Sequence, residues 1–178
     1  MEERFAGQFP FIRATGHFLY SKDSSLSTLI QDMKYRSFPD IGILLGRIAG
    51  EELFTTSFFD KTEIIVPVPM HFLKQGQRGY NQTHYIARGL SEAIGIPVVK
   101  ALRMTRRHST QTALNREQRL ANISGLFSLR HPEMIENKGV LLIDDVCTTG
   151  ATLGAAAEAI WKEGGPSGLT LFTLGVTF

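Results

Sequence analysis

The chain has 178 residues, 43% hydrophobic and 20% charged, with a formal net charge of +2, a composition that suits one globular core and argues against a disordered chain. No stretch approaches the ~18 consecutive apolar residues of a membrane span, and Met1-Glu-Glu-Arg lacks the basic start and apolar run of a secretory leader, so a cytoplasmic protein without membrane insertion is expected. The single cysteine excludes an internal disulfide, and the five histidines (His17, His71, His84, His108 and His131) lack metal-ligand spacing, so no metal held directly by the protein is expected.

In chain order, residues 24–37 carry Leu26, Leu29, Ile30 and Met33 at helical spacing, and residues 40–56 carry Ile41, Leu44, Leu45, Ile48 and Ala49 in the same way. Phe54, Phe58 and Phe59 follow as an apolar patch, assigned to core or to an interface. Ile64-Ile-Val66 is a short buried strand closed by Pro67-Val-Pro69. A helix runs from about Asn81 to Ile94 until Gly95-Ile-Pro97 breaks it, and Val98-Val99 restarts as strand. Residues 102–114 show no apolar period and read as a mobile loop or ribbon. A helix near 115–123, strands near 125–129 and 139–144, a helix from about Gly150 to Glu163 and a last strand at 169–177 complete the chain. Trp161 on that last helix is assigned to the core. Strands separated by helices predict an α/β fold with a mostly parallel sheet flanked by helices. Residues 1–60 are expected as an N-terminal helical hood and 61–178 as the core, together one compact domain.

Residues 140–152 are the most informative segment. Val140-Leu-Leu-Ile143 is an apolar run that reads as a buried parallel strand, ending in the carboxylates of Asp144 and Asp145. Ligands of open α/β sheets sit beyond the carboxyl ends of such strands. Val146 and Cys147 lead into Thr148, Thr149, Gly150, Ala151 and Thr152, which offer backbone N–H groups, three hydroxyls and a helix N-terminus to a phosphate dianion. Gly150 lets the backbone approach closely. The carboxylates would repel the phosphate itself, so hydroxyls of a ribose or a hydrated cation beside it are their partners. The bland alternative makes the pair a turn cap, with Thr148 or Thr149 as N-cap of the helix; capping needs one acceptor, whereas the segment supplies two acids and three hydroxyls. Cys147, with no neighbouring base in sequence, is read as a small packing side chain.

A second anion cradle is expected where the strand ending at Val68 and Pro69 opens into a loop carrying Arg78 and Gly79, a position that suits a pyrophosphate. Between His71 and Arg119 stand nine Lys and Arg residues against Glu92 and Glu117, the footprint of an anionic partner. Arg103, Arg106 and Arg107 are assigned to the pyrophosphate side of the ligand as a lid. Lys74, Arg78, Arg106, Arg107, Arg116 and Arg119, with Tyr80, Tyr85 and His108 interleaved, equally suit the backbone of a nucleic-acid single strand.

The segment around Asp144 resembles the phosphoribosyl pyrophosphate signature of the type I phosphoribosyltransferases, in which apolar residues precede two acids and a Thr-Gly phosphate loop. With Lys34-Tyr35-Arg36, Arg78-Gly-Tyr-Asn-Gln82, Thr110-Gln111, Arg119, Asn122 and Phe127, the chain resembles the ComF family, phosphoribosyltransferase-fold proteins associated with DNA uptake in naturally competent bacteria. The resemblance implies binding of phosphoribosyl pyrophosphate or a ribose 5-phosphate ligand with Mg²⁺, and points toward glycosyl transfer with pyrophosphate release. It also implies partners in the competence machinery, such as a DNA helicase; the competing expectation is a non-catalytic factor that binds single-stranded DNA. Two departures stand out. The cysteine-rich zinc element that opens many family members is absent, so this chain is naturally short or begins after it. Purine-salvage relatives carry an acid where Thr148 stands, which puts ordinary purine salvage in doubt.

Overall fold

A computed structural model describes residues 1–36, 38–70, 76, 78–105 and 125–177. Among them, four parallel strands form the central sheet in the order β1 (Arg13–Leu19), β6 (Gly168–Val176), β5 (Gly139–Cys147) and β2 (Ile64–Pro67). Val98 adds a single parallel bridge to Ile65 on the outer side of β2. A two-stranded antiparallel ribbon, β3 (Leu102–Met104) with β4 (Phe127–Leu129), stands beside the sheet.

Alternation along the two central strands gives the sheet two buried faces. Val140 and Leu142 of β5, with Leu169 and Leu171 of β6, join the cluster that contains Leu153, Ala156 and Ile160 of helix α4 (Ala151–Gly164) and Phe5 of the N-terminal segment. Leu141, Ile143, Phe172 and Leu174 point the other way, onto Ile30 and Met33 of α1 (Ser25–Tyr35), Leu45 of α2 (Pro39–Phe54) and Ile86 of α3 (Gln82–Ile94). Burial on both sides explains why these strands read as continuous apolar runs.

Local signals set the helix ends. Ser24 caps α1, its hydroxyl accepting the Ser27 N–H at 3.1 Å. Pro39 opens α2. Asn81 caps α3 through the Thr83 N–H, and Gly95, left-handed at φ +73°, ends it. Helices α2 and α3 approach until backbones touch: a Cβ built at Gly46 would lie 2.2 Å from the carbonyl oxygen of Ile86, and one at Gly89 would lie 2.1 Å from that of Ile43.

Several expectations are corrected. Residues 13–19, expected in the helical hood, form β1, an edge strand hydrogen-bonded in register with β6, so the α-helices of that region begin only at Ser25. Strand β5 runs to Cys147, which places Asp144 and Asp145 inside it; pairing to β6 continues through Cys147 opposite Val176. Phe54 is 62% exposed, whereas Phe58 and Phe59 are buried. Trp161 is only half-buried and donates its Nε1–H to the carbonyl of Pro10 at 2.7 Å. The helix expected near 115–123 lies outside the described residues. No helix among the described residues is long and apolar enough to cross a membrane.

Candidate functional site

Strand β5 carries the acid pair and hands the chain directly to the turn before α4; pairing to β2 as far as Ile143 and to β6 through Cys147 fixes where the two carboxylates stand. They meet different surroundings. Asp144 accepts the backbone N–H of Asp145 at 2.8 Å, with the Thr83 hydroxyl 3.5 Å away. Asp145 accepts the Val146 N–H at 2.7 Å and forms an ion pair of 2.6 Å with Lys34 at the end of α1. Enclosure by protein, and then repulsion from the Asp145 charge, pushes the Asp144 carboxyl up to about 7, against the opposing pull of the Asp145 N–H, Lys34 and Thr83.

The turn is held from behind. Arg4 donates one guanidinium nitrogen to the carbonyl of Cys147 at 3.1 Å and the other to the carbonyl of Thr177, and the Thr177 N–H also reaches Cys147 O at 3.1 Å. Gly150 is the N-cap of α4, left-handed at φ +83°, and a Cβ there would come within 2.9 Å of the Phe5 ring. Gly150 rather than Thr148 or Thr149 is thus the N-cap of α4, although the Thr149 hydroxyl accepts the Ala151 N–H at 3.4 Å at the head of the helix. Thr148, Thr149 and Thr152 are exposed, while Gly150 and Cys147 are buried. Cys147 is thus packed against the Arg4 brace, in keeping with its expected packing role. Asp144 and residues 146–153 line a shallow recess of about 30 Å³, so the structure brings Asp144 and the hydroxyl-rich turn together, while Asp145 is outside that lining.

The second cradle is arranged differently from its sequence reading. Val68 is 3% exposed; its N–H binds Ile143 O at 2.9 Å and its carbonyl accepts the Asn81 amide at 3.0 Å, so it fixes the loop rather than offering a side chain. Pro69 and Arg103 line one cavity of about 520 Å³, together with Tyr80, His84, Lys100 and Arg130. Arg103 is steadied by the Ser128 hydroxyl at 2.9 Å. Arg78 does not line that cavity's described wall; it lies over the Tyr35 ring, 4.9 Å from its centroid, and donates to the Tyr35 hydroxyl at 3.2 Å. Lys74, Arg106, Arg107, Arg116 and Arg119 lie outside the described residues, as do His108, Thr110 and Gln111.

Three contributors were not assigned to the site from the sequence: Lys34, Thr83 and Arg4. Lys34 entered only as part of the Lys34-Tyr35-Arg36 run; a lone cation closing an apolar helix face is a usable signal, but its partner is far away in sequence. Among the described residues, no three His, Cys, Asp or Glu side chains gather as a metal cage. Asp145 nevertheless holds a cationic nitrogen, so this carboxylate is placed to receive positive charge.

The phosphoribosyl transferase domain family matches residues 82–174, which include α3, the ribbon, β5, the turn and most of β6. Competence protein F of Haemophilus influenzae is 32% identical over 154 residues, covering 84% of this chain and 66% of that protein. Competence protein ComFC of Bacillus subtilis is 26% identical over 156 residues, covering 88% and 62%. DNA utilization protein YhgH of Escherichia coli is 28% identical over 143 residues, covering 78% and 62%. The chain thus spans less than two thirds of the length of these curated relatives. Among solved structures, glutamine phosphoribosylpyrophosphate amidotransferase of Bacillus subtilis superposes with a TM-score of 0.54 at 20% identity, covering 81% of this chain and 30% of that one, a likeness of fold. With its acid pair and its Thr-Gly turn in one matched segment, the chain belongs to the phosphoribosyl transferase domain family, in its competence-associated ComF branch.

Proposed function

We propose that the chain binds phosphoribosyl pyrophosphate, or a ribose 5-phosphate ligand, together with Mg²⁺. The observation that carries this reading is the recess in which Asp144 and the turn from Val146 to Leu153 meet. The exposed hydroxyls of Thr148, Thr149 and Thr152 and the N-terminus of α4 suit the 5′-phosphate. Asp144 and Asp145 suit the ribose hydroxyls and would hold the cation through its water shell. Mg²⁺ supplies charge neutralisation on the pyrophosphate. Arg103, which lines the cavity of about 520 Å³ with Pro69, would take charge at the pyrophosphate end. If pyrophosphate departs, positive charge develops on the ribose ring, and carboxylates fixed by a paired strand stabilise it without reorganising.

The names of the relatives, Competence protein F and DNA utilization protein, support placing this ligand chemistry in DNA uptake; single-stranded DNA and a helicase are proposed as partners of the whole protein on the family resemblance alone. Calorimetric titration with phosphoribosyl pyrophosphate, with and without Mg²⁺, tests the reading. Saturable binding that Mg²⁺ strengthens is the expected result; absence of binding at millimolar ligand in both conditions overturns it.

A further inference from the structure

The end of helix α1 is fastened to the site at three consecutive residues. The Met33 carbonyl accepts the Tyr80 hydroxyl, Lys34 pairs with Asp145 at 2.6 Å, and Tyr35 lies under Arg78. The middle attachment differs in kind, because it puts a full positive charge on one of the two carboxylates that would otherwise receive a cation. The ammonium and its carboxylate are each about four-fifths buried, at 21% and 19% side-chain exposure, so solvent screens the pair less than it screens a surface pair. Met33 is fully buried, and Ser24 caps the start of the helix, so the stem of Lys34 grows from an anchored backbone.

Lys34 stands on strand-borne Asp145 where a hydrated divalent ion would approach from the α1 side. Two adjacent carboxylates with no cation repel each other, and the ammonium that Lys34 holds 2.6 Å from Asp145 relieves that repulsion without a dissolved ion. A lysine supplies one charge and cannot coordinate, so it offsets the repulsion but leaves room for ribose hydroxyls on Asp144.

We propose that Lys34 is a built-in cation at the acid pair: it occupies the divalent-ion approach to Asp145, so the ligand-free chain takes up Mg²⁺ weakly and sugar-phosphate binding needs less Mg²⁺ than the acids alone would demand. The second half of this statement rests on the sugar-phosphate reading above; the first half does not.

Binding of Mn²⁺ to the ligand-free full chain, followed by electron paramagnetic resonance, tests the first half. Lys34→Met, which keeps length and removes charge, should bind Mn²⁺ at least tenfold more tightly than the parent, and Lys34→Arg should behave like the parent. Lys34→Met combined with Asp145→Asn should return to weak binding. Lys34→Gln serves as the neutral variant if thermal melts show Lys34→Met unfolded. Equal Mn²⁺ affinity in the parent and a folded neutral variant overturns the proposal.

Titrating Mg²⁺ at fixed phosphoribosyl pyrophosphate tests the second half. The neutral variant should need several-fold more Mg²⁺ for half-maximal ligand binding. A parent that binds no sugar phosphate in any condition defeats the functional reading while the Mn²⁺ comparison still decides the role of Lys34. Ligand binding with an unchanged Mg²⁺ requirement defeats the role of Lys34 alone.

Discussion

Asp144 turns its carboxylate back onto the backbone N–H of Asp145, 2.8 Å away, while Asp145 directs its own toward Lys34. Two identical neighbours are thereby sorted into unequal acids, one enclosed and raised to about 7, the other paired with a cation.

This sorting fixes a pH dependence. A carboxyl whose folded value lies above its unfolded one keeps a proton in the folded chain that the unfolded chain has already released, so stability falls as pH rises from about 4 to about 7. Replacing Asp144 with Asn removes that loss. The melting temperature of Asp144→Asn, relative to the parent, should be higher at pH 8 and should converge on the parent below pH 4. A gap between the two proteins that does not change with pH would show that Asp144 titrates normally.

Removing both charges tests the site directly. Asp144→Asn with Asp145→Asn should weaken Mg²⁺-dependent binding of phosphoribosyl pyrophosphate by at least tenfold, about 1.4 kcal/mol. Strand β5 should persist, because its ladder to β2 and β6 uses backbone groups. Unchanged affinity by calorimetry in a folded double variant would remove these residues from ligand binding.

The phosphate turn should be intolerant at its glycine. Gly150→Val forces a β-branched residue to φ +83° and drives its Cβ into the Phe5 ring, costing about 1–3 kcal/mol in backbone strain before the displaced ring is counted. Protection against heating by ribose 5-phosphate should vanish in this variant. If ligand still raises its melting temperature as much as the parent's, the turn is not the cradle.

A single-strand partner would reveal itself through salt. Replacing Arg103, Arg106 and Arg107 with Ala should weaken single-stranded DNA binding and reduce the slope of log affinity against log salt by about 0.7 for each phosphate that the protein no longer neutralises. Filter binding at several salt concentrations reads this slope. A triple variant that keeps its DNA affinity and slope while losing pyrophosphate release would assign the segment to the sugar-phosphate ligand instead.

The site was legible where chemistry was contiguous and illegible where it was assembled across the sheet. Val140 to Thr152 could be read as strand, acids and phosphate turn because register and turn geometry are local properties. Arg13 to Leu19 escaped because its residues are mixed in polarity and only half-buried, which is what an edge strand at the rim of a parallel sheet permits. Arg78 reads as a ligand contact from its charge and its loop after β2, whereas it lies over the ring of Tyr35 in α1. Lys34 and Arg4 act on Asp145 and Cys147, and no pattern within a short window announces such pairings.

Gly46 and Gly89 lie on the helix pair behind the site, and each is met by a partner backbone oxygen closer than any side chain could tolerate. Reciprocal approach of this kind interlocks α2 with α3, so the two helices form a single beam rather than two independently adjustable rods. Sequence drift is consequently constrained in an unexpected place: in a saturation library, positions 46 and 89 should lose nearly all their substitutions, alanine included. The exposed neighbours Leu44 and Arg88 should accept broad replacement.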